Sequence, residues 1–275
     1  MCTRSWYWIL ALLLGVRADL AVTAVASESL RIAETDSTLT ISRGQSIVLV
    51  YNKISPLVPE GIDPIYQRSG FLHPVKTPKG KTITEAFPKD HPHQHGIFLA
   101  WVKTSYGDRS IDFWNLAGRT GRVVHERVVS TFQNDASAGF EVDLIHRAES
   151  PALDILRERW KVKVLEPVGD YYCFDLESFQ QALTDTPLVV EKYHYGGMAF
   201  RGISKWLTKV DKDKNSGDSL QLEPSSFLNS AGQDRKSGNH TPSTWVALSG
   251  TIEQQAASIA ILSHSKNFRA PQSAR

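Results

Sequence analysis

Apolar and polar residues alternate with a period of two along much of the chain. Phe140, Val142 and Leu144 alternate with Glu141 and Asp143, and Trp160, Val162 and Val164 alternate with Arg159, Lys161 and Lys163. An extended backbone points successive side chains to opposite faces. Both segments therefore predict antiparallel strands with one face in a core and the other in water. Runs rich in β-branched and aromatic residues at 46–51, 97–102, 123–132, 171–176, 244–248 and 258–262, separated by turn-formers, predict further strands. Helical periodicity is scarce, and its best stretch, 177–183, is only about two turns long. The expected architecture is all-β, a many-stranded antiparallel β-sandwich with few short helices.

The N-terminus departs from this pattern. Arg4 precedes the apolar run Trp6 to Val16, and Ala24-Val25-Ala26 follows. A positive start, an apolar core and an A-x-A site are the layout of a secretory signal peptide over residues 1–26. The apolar run is too short to span a bilayer, and Arg17 and Asp19 interrupt it. The expected product is exported, to the periplasm or outside the cell, with no membrane segment once the signal is cleaved. Its 275 minus 26, or 249, residues suit one large β domain, 27–275. The stretches 211–219 and 229–243, rich in Gly, Ser, Asn, Asp and Lys, read as surface loops within it.

Charge narrows the partners. Lys and Arg total 31 against 29 Asp and Glu, with no block of one sign, which argues against a nucleic-acid surface. A small molecule or an oligosaccharide is the expected ligand. After signal cleavage Cys173 is the only cysteine, so no intramolecular disulfide can form. Its apolar neighbours Tyr171, Tyr172 and Phe174 predict a buried thiol.

Three segments carry candidate chemistry. In His91-Pro92-His93-Gln94-His95 the histidines are spaced by two, so an extended backbone would put all three rings on one side. Such a pattern could supply metal ligands, acid–base groups, contacts to sugar hydroxyls, or a structural loop. Pro92 disturbs regular pairing, and three ligands within five residues would strain a tetrahedral site. No cofactor is firmly implied, and a divalent metal would use His91, His93 and His95. His73 and His125 are further contributors. The second segment sets Asp112 beside Phe113 and Trp114, with Arg119, Arg122 and His125 following. A carboxylate among aromatics is a surface that can stack a sugar ring and bond its hydroxyls, though Trp114 equally suits a core. The third, Glu191 to Arg201, crowds His194 and two tyrosines against Gly196-Gly197. Paired glycines in a strand pattern suggest a bulge or a close backbone approach, and Arg201, if buried, must find an anion or several acceptors.

At these same residues the chain resembles a family of secreted bacterial proteins labelled PmoA-like, or methane oxygenase PmoA. The matching pieces are RSGFLHPVKTPKGK at 68–81, FPKDHPHQHGIFLAW at 87–101, Asp112-Phe113-Trp114, YGGMAFR at 195–201 and SHSKNFRAP at 263–271. Gln94-His95 stands where the family more often has His-Arg, so the third histidine is a departure. The resemblance implies a β-sandwich associated with carbohydrate breakdown, similar in plan to galactose-mutarotase-like supersandwiches. The label itself implies an oxygenase. Members continue past the point matching Ala270-Pro271, which implies that a final strand is missing here.

Together these observations point to an exported carbohydrate-active protein acting on a glycoside or sugar derivative. His91, His93, Asp112 and His125 are the expected catalytic groups, and His73, Trp101, Trp114, His194 and Arg201 the expected substrate contacts. A metal-dependent enzyme and a non-catalytic sugar-binding module are the alternatives.

Overall fold

In the computed structural model residues 28–207 and 222–274 are described. The expected signal peptide, 1–26, and the expected loop 211–219 lie outside the described residues. The strands are β1 (Leu30–Glu34), β2 (Thr38–Arg43), β3 (Ser46–Asn52), β4 (Phe71–Val75), β5 (Ile97–Ala100), β6 (Thr104–Tyr106), β7 (Arg109–Ile111), β8 (Gly121–Asn134) and β9 (Ser137–Glu149). They continue with β10 (Ala152–Leu165), β11 (Cys173–Ala182), β12 (Leu188–Val190), β13 (Gly197–Phe200), β14 (Ser225–Asn229), β15 (Thr241–Pro242), β16 (Trp245–Ile252), β17 (Gln255–Leu262) and β18 (Ser273–Ala274). Helix is confined, among the described residues, to 3-10 turns at Pro64–Tyr66, Leu116–Gly118 and Ser204–Trp206.

The two large sheets run in the orders β1-β2-β3-β4-β5-β13 and β11-β10-β9-β8, with every pairing antiparallel. Alternation decides which face of the second sheet turns inward. Phe140, Val142 and Leu144 of β9 and Trp160, Val162 and Val164 of β10 are fully buried. Arg127 and Arg159 lie on the opposite face and clasp the Asp143 carboxylate. Tyr51 of β3 joins the layers, its ring 5.3 Å from Phe140 and 6.3 Å from Trp160. The protein is thus an all-β antiparallel sandwich, as the period-two pattern predicted.

Smaller sheets complete it, β12-β6-β7, β14-β16-β17 and the two-stranded β15-β18. Trp206 ties the β14-β16-β17 sheet to the body by donating Nε1–H to the Thr251 carbonyl at 2.8 Å. β17 is an uncharged edge strand, and its Ile261 and Leu262 are exposed.

Two local expectations are corrected. Residues 177–183 fall within β11 and the turn after it, because ten residues of β11 pair with β10 and ladder bonds outweigh a weak helical pattern. Cys173 is exposed, since β11 is the outer strand of its sheet and no layer covers its start.

Candidate functional site

The segment between β4 and β5 folds back on itself. Ala86 and His95 form a bridge that closes the loop 87–94, and inside it His91 N–H bonds the Pro88 carbonyl while Gln94 N–H bonds the His91 carbonyl. Two successive turns replace the expected extended run. Pro92 has no N–H to give to a ladder, which favours turns here. The consequence is that the three histidines do not share a side.

His91 and His93 stay together at the surface, ring centroids 5.7 Å apart and edge to face. His95 goes inward and is fully buried, its ring 4.5 Å from Phe87 and 5.1 Å from Phe71. Its Nδ1 lies 3.1 Å from the His93 carbonyl, an acceptor, so Nδ1 carries the hydrogen. Burial, then the nearby Arg68 charge, lower its pKa to about 3. A three-histidine metal site is therefore not formed, and no group of three or more His, Cys, Asp or Glu suited to a metal occurs among the described residues.

His91 has a partner that the sequence does not advertise. Its Nδ1 lies 2.8 Å from Asp90 Oδ2, and Asp90 is gripped by Arg201 through Nη2–Oδ1 at 2.7 Å and Nη1–Oδ2 at 3.2 Å. Burial works against the Asp90 charge, but the hydrogen bonds from Arg201 and His91 outweigh it and hold the carboxyl below its usual pKa. Asp90 is thus a carboxylate, His91 Nδ1 donates to it, and in the neutral ring Nε2 keeps the lone pair. The His91 side chain is 47% exposed, which leaves the ring within reach of a ligand.

Arg201 is buried and finds the several acceptors its burial demands, with Gln94 Oε1 at 3.1 Å and Ser204 Oγ at 3.0 Å beside Asp90. The expectation of a substrate contact is corrected accordingly, because both terminal nitrogens are committed to protein groups. Backbone bonds fix it further, from Glu85 N–H to the Arg201 carbonyl at 3.1 Å, Gly96 N–H to the Glu85 carbonyl at 2.7 Å and Arg201 N–H to the Gly96 carbonyl at 2.7 Å. At Gly96, φ is +52° and a Cβ would lie 2.0 Å from the Leu72 carbonyl oxygen, so only glycine fits this crossing.

His93 is half-buried and its pKa falls to about 4, through burial first, then the His91 charge, with Asp112 pulling the other way and Arg201 and Asp90 also felt. The hydrogen bonds of Asp90 and the edge contact of the two rings put His91, His93, Asp90 and Arg201 in one cluster. Tyr66 flanks it, its ring 6.5 Å from His93.

Asp112 sits here as a turn anchor. Its Oδ1 accepts from the N–H groups of Trp114 and Asn115 at 2.8 and 2.9 Å, and its Oδ2 accepts the Asn115 side-chain amide at 2.7 Å. Both of its oxygens are thus taken up by Trp114 and Asn115, which corrects the catalytic role expected of it. Asn115 passes the link to the Tyr195 hydroxyl at 3.2 Å, and the Trp114 ring packs 4.6 Å from Phe98 and 5.4 Å from Tyr195. His194 is exposed beside Tyr193 and Tyr195.

The remaining candidates are held by other partners. His125 Nδ1 is 3.0 Å from the Tyr51 hydroxyl, and burial with Lys53 lowers its pKa to about 4 in a setting shared with Glu34, Asp143 and Glu126. His73 Nδ1 lies 2.9 Å from Thr84 Oγ1, and burial lowers its pKa to about 4. Trp101 donates its Nε1–H to Gln180 of β11 at 3.0 Å, a bond that reaches across to the second large sheet. Two surface hollows, one lined by Arg147, Asp154 and Leu183 and one by Phe132, Glu141 and Lys163, lie along β8 to β11 and contain none of the histidines.

What the fold and the site define is an antiparallel β-sandwich with a histidine pair, one ring of it oriented by a carboxylate, on the loop between β4 and β5. By sequence, residues 38–275 match the family of unknown function DUF6807, and the chain belongs to that family. No curated protein matches the chain.

Proposed function

We propose that this is an exported carbohydrate-active enzyme whose site abstracts or relays a proton on a neutral glycoside or sugar derivative. The observation that carries the reading is the relay Arg201, Asp90, His91. A buried arginine holds a carboxylate, the carboxylate orients an imidazole, and that imidazole is half exposed at the surface. This is the arrangement of a positioned general base.

His93 complements it. Neutral down to about pH 4, it offers a hydrogen bond to a hydroxyl without adding charge. Arg201 is already neutralised by Asp90, so its charge is not available to a substrate carboxylate, which supports a neutral sugar over a uronate. Export rests on the N-terminal pattern of the sequence, Arg4 followed by Trp6 to Val16 and Ala24-Val25-Ala26.

The purified chain, incubated with a panel of neutral and acidic oligosaccharides with and without a chelator and followed by mass spectrometry, tests this reading. Turnover of neutral sugars that survives the chelator is expected. Turnover lost on chelation would favour the metal-dependent alternative, and binding without turnover the sugar-binding module.

A further inference from the structure

In the segment that leads into β13 lies an aromatic strip that the proton relay does not use. Tyr193 is 44% exposed, His194 is exposed and Tyr195 is half-buried. Their ring centroids lie 4.1 Å apart for Tyr193 and His194, 5.0 Å for Tyr193 and Tyr195, and 4.7 Å for His194 and Tyr195. The strip reaches inward to Trp114, whose ring is 5.4 Å from Tyr195, and through the Tyr195 hydroxyl to Asn115 and Asp112. The strip precedes β13 and Arg201 follows it, so strip and anchor lie at the two ends of a four-residue strand, roughly 13 Å apart at about 3.3 Å per residue.

Large aromatic rings held at a surface forfeit the burial that usually decides their position, so a contiguous exposed set is informative. Here the backbone is shaped to present them. Gly196 and Gly197 have φ of +136° and +89°, conformations that side chains rarely adopt, and they turn the chain sharply between the strip and β13. Around it Val190 and Met198 are also exposed, 47% and 44%.

We infer that Tyr193, His194 and Tyr195 form a second subsite that stacks a pyranose ring one or more units away from the bond or carbon acted on at His91. The inference rests on the carbohydrate reading of the histidine site and deepens it, naming the substrate as an oligosaccharide. A pyranose ring presents a face of weakly positive C–H groups, which complements the negative face of an aromatic ring, while the exposed imidazole can bond its equatorial hydroxyls. A half-exposed His91 and an exposed aromatic strip at the far end of β13 suit a substrate several units long.

The test uses the full chain and ladders of one to four units of neutral β-linked glucose, xylose and galactose. For any ladder that is turned over, kcat/KM is expected to rise with length. Tyr193→Ala should cut the ratio of kcat/KM for the longest and shortest members about tenfold, the loss common for an aromatic anchor. Tyr193→Trp, which keeps a stacking face, should largely restore the ratio. A ladder turned over with no dependence on length, or a ratio unmoved in Tyr193→Ala, overturns the subsite and leaves the histidine reading standing. No turnover or binding of any ladder overturns both.

Discussion

Arg201 and Asp90, 111 residues apart in the chain, form a two-point ion pair in which each terminal guanidinium nitrogen meets its own carboxylate oxygen. The pair joins β13 to the histidine loop and fixes the Asp90 oxygen that His91 uses. Structure and proposed chemistry therefore share one anchor, and its removal should register in both.

Arg201→Lys keeps the charge but cannot reproduce the fork. We expect a loss of about 1–3 kcal/mol in a urea titration, below that of a fully buried pair because Asp90 is partly exposed. Retention of the wild-type midpoint would show the pair to be ornamental.

Asp90→Asn removes the charge that orients His91 while conserving shape. Turnover on whichever sugar proves to be the substrate should fall at least about tenfold, the lower range for a mispositioned acid or base. Near-ultraviolet and far-ultraviolet circular dichroism would register any wider damage to the fold. A D90N protein as fast as the parent would remove His91 from the mechanism.

Acid should destabilise the protein earlier than its carboxylates alone would. His73, His93 and His125 have pKa values lowered to about 4, and His95 to about 3, against 6.5 in the unfolded chain. Between pH 6.5 and about 4 the unfolded state binds more protons than the folded one, so stability rises with pH across that window. It is fully present above 6.5 and is lost as pH falls through the folded values. Urea midpoints at pH 7, 5.5 and 4 should decline in that order, and a flat series would contradict the buried neutral histidines.

The strands were legible because burial of one sheet face prints a period of two on the residues, as in Phe140 to Leu144. Arg201 was legible as a group in need of acceptors, and its acceptors are there. Asp90 was not, because its meaning comes from a partner more than a hundred positions away. The fates of His93 and His95 could not be told apart by spacing either. Two turn hydrogen bonds, from His91 to Pro88 and from Gln94 to His91, decide which ring faces water. Cys173 misled for a similar reason, since an apolar neighbourhood in sequence says nothing of whether an edge strand is covered.

Gly96→Ala probes the crossing that holds the loop in place. A Cβ at φ of +52° would collide with the Leu72 carbonyl, a backbone atom that cannot swing aside. We expect a loss on the order of 2–4 kcal/mol, from backbone strain and displacement together. Calorimetry would show it as a lower Tm, and an unchanged Tm would mean that β4 and β5 can separate without cost.

The sharpest contrast lies between two histidines two residues apart. His93 is half-buried, its ring meets His91 edgewise and Tyr66 at a tilt, and little core depends on it. His95 is sealed among Phe71, Phe87 and Phe98, and its Nδ1–H satisfies the His93 carbonyl. Truncating the first removes a polar contact to ligand, and truncating the second opens a cavity and frees a carbonyl. His93→Ala should therefore lose under about 1 kcal/mol of stability while losing most turnover, and His95→Ala should lose about 2–4 kcal/mol. Urea titrations and assays of both variants give the comparison. A His93→Ala protein that unfolds while His95→Ala stands would reverse the assignment, making His93 the structural ring.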